Sequence, residues 1–159
     1  MKPTVLSLVF IGLSWTAYGQ GSSLAPDVLA ALHAAAPSAS WDHPLSATGN
    51  VMCDGKTETI VVSGEGDTVW LGVVTPPNHK TPRKALTISW PIARGTQAAM
   101  CAKPVRIELS PLICDTENGK LEGCRPTKHC QEFSLVDDTC DSINVYWDSS
   151  KHRLTWWRN

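Results

Sequence analysis

The chain has 159 residues, and its 14 Lys and Arg residues nearly balance its 15 Asp and Glu residues, leaving a net charge of −1. The basic residues are spread along the sequence without a basic stripe, which argues against nucleic acid as a partner. After the N-terminal segment, no stretch is long and apolar enough to span a bilayer, so we expect no membrane span. The length predicts one domain after that segment.

Residues 1–19 have the pattern of a cleaved export signal. Lys2 supplies one positive charge, residues 5–13 form a short apolar run, and residues 17–19 place small side chains where a signal peptidase reads. A transmembrane helix is disfavoured because it needs about 20 apolar residues. The sequence therefore predicts a periplasmic or secreted protein with a single domain over residues 20–159.

The remaining sequence predicts one helix followed by strands. Residues 26–36 (PDVLAALHAAA) suit a helix, because Pro26 favours its first turn and Val28 and Leu32 fall on one face. A Pro-rich loop is predicted over residues 76–83. Strands are predicted at 59–62, 68–74, 86–90, 105–109, 131–136, 143–148 and 152–158. The expected fold class is mainly β (α+β), a small antiparallel sheet or sandwich with one N-terminal helix, stapled by disulfides.

Six cysteines lie at positions 53, 101, 114, 124, 130 and 140. An even number behind an export signal predicts disulfides, although sequence alone cannot choose among the pairings. Closure of short loops favours near neighbours, and the predicted pairs are Cys53–Cys101, Cys114–Cys124 and Cys130–Cys140. A zinc site formed by the last three cysteines and His129 is the alternative, but their spacing matches no zinc motif.

Residues 49–58 (GNVMCDGKTE) have a weak local similarity to the calcium loop of FG-GAP-type and dockerin-type repeats. In that loop, oxygen ligands alternate and a glycine permits a sharp turn. Asn50, Asp54 and Glu58 fall on ligand positions, but Met52 cannot bind calcium. A turn with a disulfide at Cys53 is favoured, and neither a metal nor a cofactor is expected.

A broader resemblance rests on the segments CDGKTET near residue 53, CAKPV at 101–105 and CDSINVYWDSSKHRLTWWRN at the C-terminus. Together they resemble a set of uncharacterised exported proteobacterial proteins with an early CDG loop and a CD-x-I-x-x-YW…RL-x-WWR ending. The resemblance implies a bacterial periplasmic origin. It attaches no activity to the chain.

Aromatic and basic residues of the last predicted hairpin form the candidate binding set, namely Trp147, Arg153, Trp156, Trp157 and Arg158. Trp156 and Trp157 are adjacent in a strand and must point to opposite faces. One of them can join the core, and the other is exposed unless something covers it. Exposed Trp beside Arg is typical of binding hot spots, whereas large aromatics also fill β cores.

Motifs for catalysis are missing from the sequence, which has no nucleophile elbow, HExxH helix, phosphate loop or dinucleotide fingerprint. The pattern favours an exported non-enzymatic binding module of the envelope, inhibitor- or immunity-like. Its expected partner is a protein or glycan, bound near Trp157 or the 76–83 loop. One alternative is an envelope hydrolase or metal-dependent enzyme, which would need His43, His129 or His152 to converge with carboxylates. The other is a calcium-stabilised structural or adhesion domain.

Overall fold

The computed structural model describes residues 23–63, 66–78, 81–93 and 99–158. The predicted export signal therefore lies outside the described residues. In chain order the elements are α1 (Pro26–Ala35), β1 (Leu45–Gly49), β2 (Glu58–Ser63), β3 (Thr68–Val74), β4 (Ala85–Pro91), β5 (Arg106–Pro111), β6 (Asp115–Thr116), β7 (Gly119–Lys120), β8 (Gln131–Val136), β9 (Ile143–Asp148) and β10 (Arg153–Trp157). The predicted class, mainly β with one N-terminal helix, is confirmed.

Two four-stranded antiparallel sheets form a sandwich. Sheet 1 has the order β1-β2-β3-β4, and sheet 2 has the order β5-β8-β9-β10. Across the sandwich, β1 contacts β5 and β4 contacts β10, so the two sheets are stacked edge over edge. The short strands β6 and β7 form a separate hairpin.

The main core lies between the two sheets. Alternate residues of each strand point inward, as the period of two in a strand requires. Sheet 1 contributes the fully buried Ile60, Val69, Leu71 and Val73, and sheet 2 contributes Phe133, Leu135, Ile143 and Val145. This apolar layer is what drives the two sheets together.

The helix α1 forms a third layer on the outer face of sheet 1. Val28 and Leu32, predicted to share one face, are both buried there against Val61 and Val74. Gly72 of β3 makes the close approach possible, because a Cβ at this position would collide with the side chain of Leu32. The helix therefore packs closely on the sheet at a position where the residue has no side chain.

The opposite outer face, that of sheet 2, is crossed by residues 112–130, which we call the strap. Leu112 and Leu121 of the strap pack with Tyr146 and Trp157 of the sheet. The Tyr146 hydroxyl donates a hydrogen bond of 3.0 Å to the carbonyl of Glu122. The strap thus covers aromatic side chains that the strand pattern alone would leave exposed.

The disulfides are Cys53–Cys130, Cys101–Cys140 and Cys114–Cys124. The predicted Cys114–Cys124 pair is present, whereas the predicted Cys53–Cys101 and Cys130–Cys140 pairs are wrong. Near-neighbour closure fails because the stacking of the sheets brings distant segments together. The turn after β1 meets the start of β8, where Asn50 accepts a backbone hydrogen bond of 3.0 Å from Gln131.

Candidate functional site

The five predicted binding residues are not brought together on one surface. Trp147 lies in the core between the sheets and is 9% exposed. Trp157 is half-buried on the outer face of sheet 2, under the strap. Trp156 points to the other side of β10 and remains 41% exposed. The prediction that the two adjacent tryptophans face opposite ways is therefore confirmed, and Trp156 is the more exposed of the two.

Trp156 is braced from below by Trp90 of β4. The two rings meet edge to face, with their centroids 6.1 Å apart and their planes at 83°. Trp90 itself is only 3% exposed, so it forms a fixed base for Trp156. Sequence reasoning did not assign Trp90 to the site, because the register within a strand does not say which strand of the other sheet lies opposite.

Arg153 begins β10 and carries an exposed positive charge. Its cross-strand neighbour is Asp148, but the Asp148 carboxylate is buried and already accepts hydrogen bonds from Ser150 and from the backbone N–H of Lys151. The Ser150 hydrogen bond is the main reason that the pKa of Asp148 lies below its usual range. Within the described residues, the guanidinium of Arg153 has no ion pair, whereas the ammonium of Lys151 lies 2.8 Å from the Glu122 carboxylate.

Arg158, the last member of the predicted set, is half-buried just after β10 and is engaged in interactions of its own. The structure therefore leaves Arg153 and Trp156 exposed on opposite faces of β10, with Trp90 beneath Trp156. We call these three residues the β10 edge site.

Near Trp157 on the outer face of sheet 2 lies a buried acid, Glu132 of β8. Burial raises the pKa of Glu132, and the nearby Ser110 and Trp157 lower it only in part. Among the described residues, neither the Glu132 Oε2 atom nor the Trp157 indole nitrogen has a hydrogen bond of acceptable geometry. Because the strap covers Trp157 in part, the neighbourhood of this side chain is only partly exposed.

The three calcium candidates are each engaged in holding the turn after β1. Asn50 accepts a hydrogen bond from the backbone of Gly55 and donates one to the carbonyl of His129. Asp54 forms an ion pair with Lys56 at 2.7 Å. The buried Glu58 accepts hydrogen bonds of 3.0 and 3.1 Å from the two backbone N–H groups that follow Asn50. These contacts give the three side chains a role in the turn without a cation.

The three histidines considered for catalysis lie in different turns, before β1, before β8 and between β9 and β10. His43, His129 and His152 are all exposed. The ring of His152 lies 6.3 Å from that of Trp147. Within residues 23–63, 66–78, 81–93 and 99–158, no group of three or more His, Cys, Asp or Glu side chains is arranged to hold a metal ion.

The predicted Pro-rich loop forms one wall of a groove against α1. The groove has a volume of about 710 Å³ and is lined in part by Ala30, Pro77 and Pro82. An ion pair between Arg83 and Asp27, 2.5 Å long, ties the loop to the helix beside it. This is the second surface that the sequence singled out, and its walls are mainly small and apolar.

Searches of protein-family models, of curated proteins and of solved structures found no match to the chain. The three disulfides fit an extracellular or otherwise oxidising compartment. In the described part of the chain, no helix has the length and apolar character needed to cross a bilayer.

Proposed function

We propose that this chain is an exported, non-enzymatic binding module of the bacterial envelope, of the inhibitor or immunity kind. Its partner is a protein, and the recognition surface is the β10 edge site. The observation that carries the proposal is that Trp156 is 41% exposed while its ring packs against the buried ring of Trp90.

The energetic argument for Trp156 starts from preorganisation. A binding residue that is already fixed loses little side-chain entropy on association, so more of its contact energy remains for affinity. Trp156 meets this condition because Trp90 supports its ring from below. Trp and Arg are also the residue types most enriched among hot spots, and Arg153 lies on the same strand.

The test is affinity capture from an envelope extract on the immobilised oxidised protein. Trp156→Ala removes the anchor, and Arg153→Glu reverses the charge of a side chain that packs little. Ile113→Ala is the matched control, because Ile113 is another exposed large apolar residue, 56% exposed, that follows β5 at the other edge of sheet 2.

We expect the wild type and Ile113→Ala to retain the same protein, and Trp156→Ala to bind it roughly 30-fold more weakly, as loss of a hot spot implies. Far-UV circular dichroism and the midpoint of thermal unfolding verify that each variant is folded. Equal retention by wild type and Trp156→Ala refutes the proposed surface. Retention of a glycan in place of a protein refutes the proposed partner class.

A further inference from the structure

The β10 edge site lies on a strand that has a neighbour on one side only. In sheet 2, β10 pairs with β9, and within the described residues no other strand pairs with β10. An edge strand presents unpaired backbone N–H and C=O groups, which are a template for another strand. The sandwich has four such edges, and they differ in how they are protected.

Edge strands β4 and β5 both carry proline near their ends. Pro91 ends β4, and the next residue, Ile92, is already bridged to Met100. Pro111 ends β5, and at its start Arg106 forms ion pairs on two sides. Proline and charge are the usual means by which proteins prevent strand addition, so these two edges are closed to it.

The edge strand β1 is protected in a different way. It carries no proline, but its last residues are held against sheet 2. The backbone N–H of Asn50 donates to the side chain of Gln131, and the backbone N–H of Gln131 donates to the carbonyl of Asn50. The Cys53–Cys130 disulfide closes the same seam. An incoming strand would have to displace these contacts.

Strand β10 has fewer of these protective features than the other three edges. Its sequence, RLTWW, contains no proline, and its single charge is at the first residue. Five residues in extended conformation offer an edge of about 17 Å, enough for an antiparallel segment of similar length. The exposed Trp156 stands along this edge and gives an added strand an apolar contact besides the backbone hydrogen bonds.

The charge around β10 selects the chemistry of the added strand. The turn before β10 and its first residue read Lys151-His152-Arg153, and all three are exposed. Lys151 forms an ion pair with Glu122, whereas Arg153 forms no ion pair within the described residues. A partner segment with Asp or Glu near this end gains attraction, while one with Lys or Arg meets repulsion.

The geometry points to strand addition: an extended, acidic segment of the partner protein pairs with β10 and becomes the fifth strand of sheet 2. This inference rests on the proposed function and specifies how the partner binds. Main-chain hydrogen bonds along β10 supply affinity, while Arg153 and Trp156 supply selectivity for an acidic and an apolar side chain.

The test uses a library of twelve-residue peptides built from Asp, Glu, Lys, Thr, Val and Phe, passed over the immobilised oxidised protein. We expect the retained peptides to be enriched in Asp and Glu and to alternate apolar with polar residues. Arg153→Glu reverses the preferred charge. Methylation of alternate amide nitrogens in the best peptide, in the phase that faces β10, lowers affinity at least tenfold, while methylation in the other phase leaves it unchanged.

Hydrogen exchange of the 153–157 amides supplies the second readout, because added backbone hydrogen bonds slow exchange of the amides that point away from β9. A library that yields no binder, binders without acidic excess, or binding that tolerates methylation in both phases overturns the inference. A concentration-dependent dimer that slows these amides without peptide also overturns it, since a second copy then occupies the edge. If capture of the envelope protein still depends on Trp156, the proposed function stands while strand addition fails.

Discussion

The Cys53–Cys130 disulfide closes the longest loop in the protein and should be the most stabilising of its bridges. It spans 77 residues in sequence, whereas Cys114–Cys124 spans 10. We compare two double variants, Cys53→Ala/Cys130→Ala and Cys114→Ala/Cys124→Ala. Each removes one bridge and the same number of sulfur atoms, so the second serves as a matched control for the first.

The expected magnitudes follow from the entropy that each bridge removes from the unfolded chain. The loop-closure relation gives about 4.5 kcal/mol at 25 °C for the 77-residue separation. It gives about 2.7 kcal/mol for the 10-residue separation. The two variants should therefore differ by about 1.8 kcal/mol in free energy of unfolding, which is readily measured.

The assay is urea unfolding of the oxidised proteins, followed by the fluorescence of the six tryptophans that lie after the predicted export signal and by far-UV circular dichroism. Coincident transitions by the two probes justify the two-state treatment that the free energies require. An equal or larger loss of stability in the Cys114→Ala/Cys124→Ala variant would contradict the reasoning. It would mean that the longer loop is already restricted in the unfolded chain.

Three further predictions concern single residues. Asp137→Asn should lower the free energy of unfolding by about 2–3 kcal/mol, against little change for the exposed control Asp141→Asn, because the buried Asp137 carboxylate accepts four backbone N–H bonds. Burial alone would raise the pKa of Asp137, but these donors hold it below its usual range. The contribution of Asp137 to the free energy of unfolding is therefore present above the unfolded pKa of about 3.9 and is lost as pH falls through the folded pKa. If the free energies of unfolding of wild type and Asp137→Asn fell in parallel as pH is lowered, this reasoning would be contradicted. Burial raises the pKa of Glu58. Its contribution to the free energy of unfolding is therefore present below the unfolded pKa and is lost as pH rises through the folded pKa. Glu58→Gln should accordingly gain stability relative to wild type as pH rises, in urea titrations at a series of pH values, and a constant difference would refute it. Gly72→Ala should cost about 1–3 kcal/mol by overpacking against Leu32, and adding Leu32→Ala should cost less than the separate effects imply; strict additivity would show that the two side chains do not collide.

The spacing of apolar residues, together with β-branched runs and turn residues, was sufficient to predict the helix and seven of the strands. It did not reveal β1, because its sequence, LSATG, has few apolar residues, and two of the other positions are exposed. The strands β6 and β7 have two residues each, too short for any periodic pattern. Which sheet each strand joins was also beyond prediction, since pairing depends on contacts between segments far apart in sequence.

Dependence on contacts between distant segments also explains why the candidate site was only partly predicted. Alternation correctly placed Trp156 and Trp157 on opposite faces, but which one is covered depends on the course of the strap. Likewise, the pairing of Cys53 with Cys130 follows from the stacking of β1 over β5, which no local spacing encodes. The binding set was therefore predicted by residue type, whereas its division between core, strap and edge is a property of the sandwich.

All six cysteines lie at or after residue 53. The helix α1 and the segment leading into β1 are therefore joined to the sandwich only by non-covalent contacts and by the chain itself. The bridges all lie at the seam between the sheets, around the 101–140 region and within the strap. In the oxidised molecule, the helical layer and the sandwich should therefore differ in their local free energy of unfolding. The helical layer opens and closes at a free-energy cost set by its packing and by the Arg83–Asp27 ion pair, while the sandwich behind it stays cross-linked. Protease cleavage should therefore release the helix long before it reaches β2.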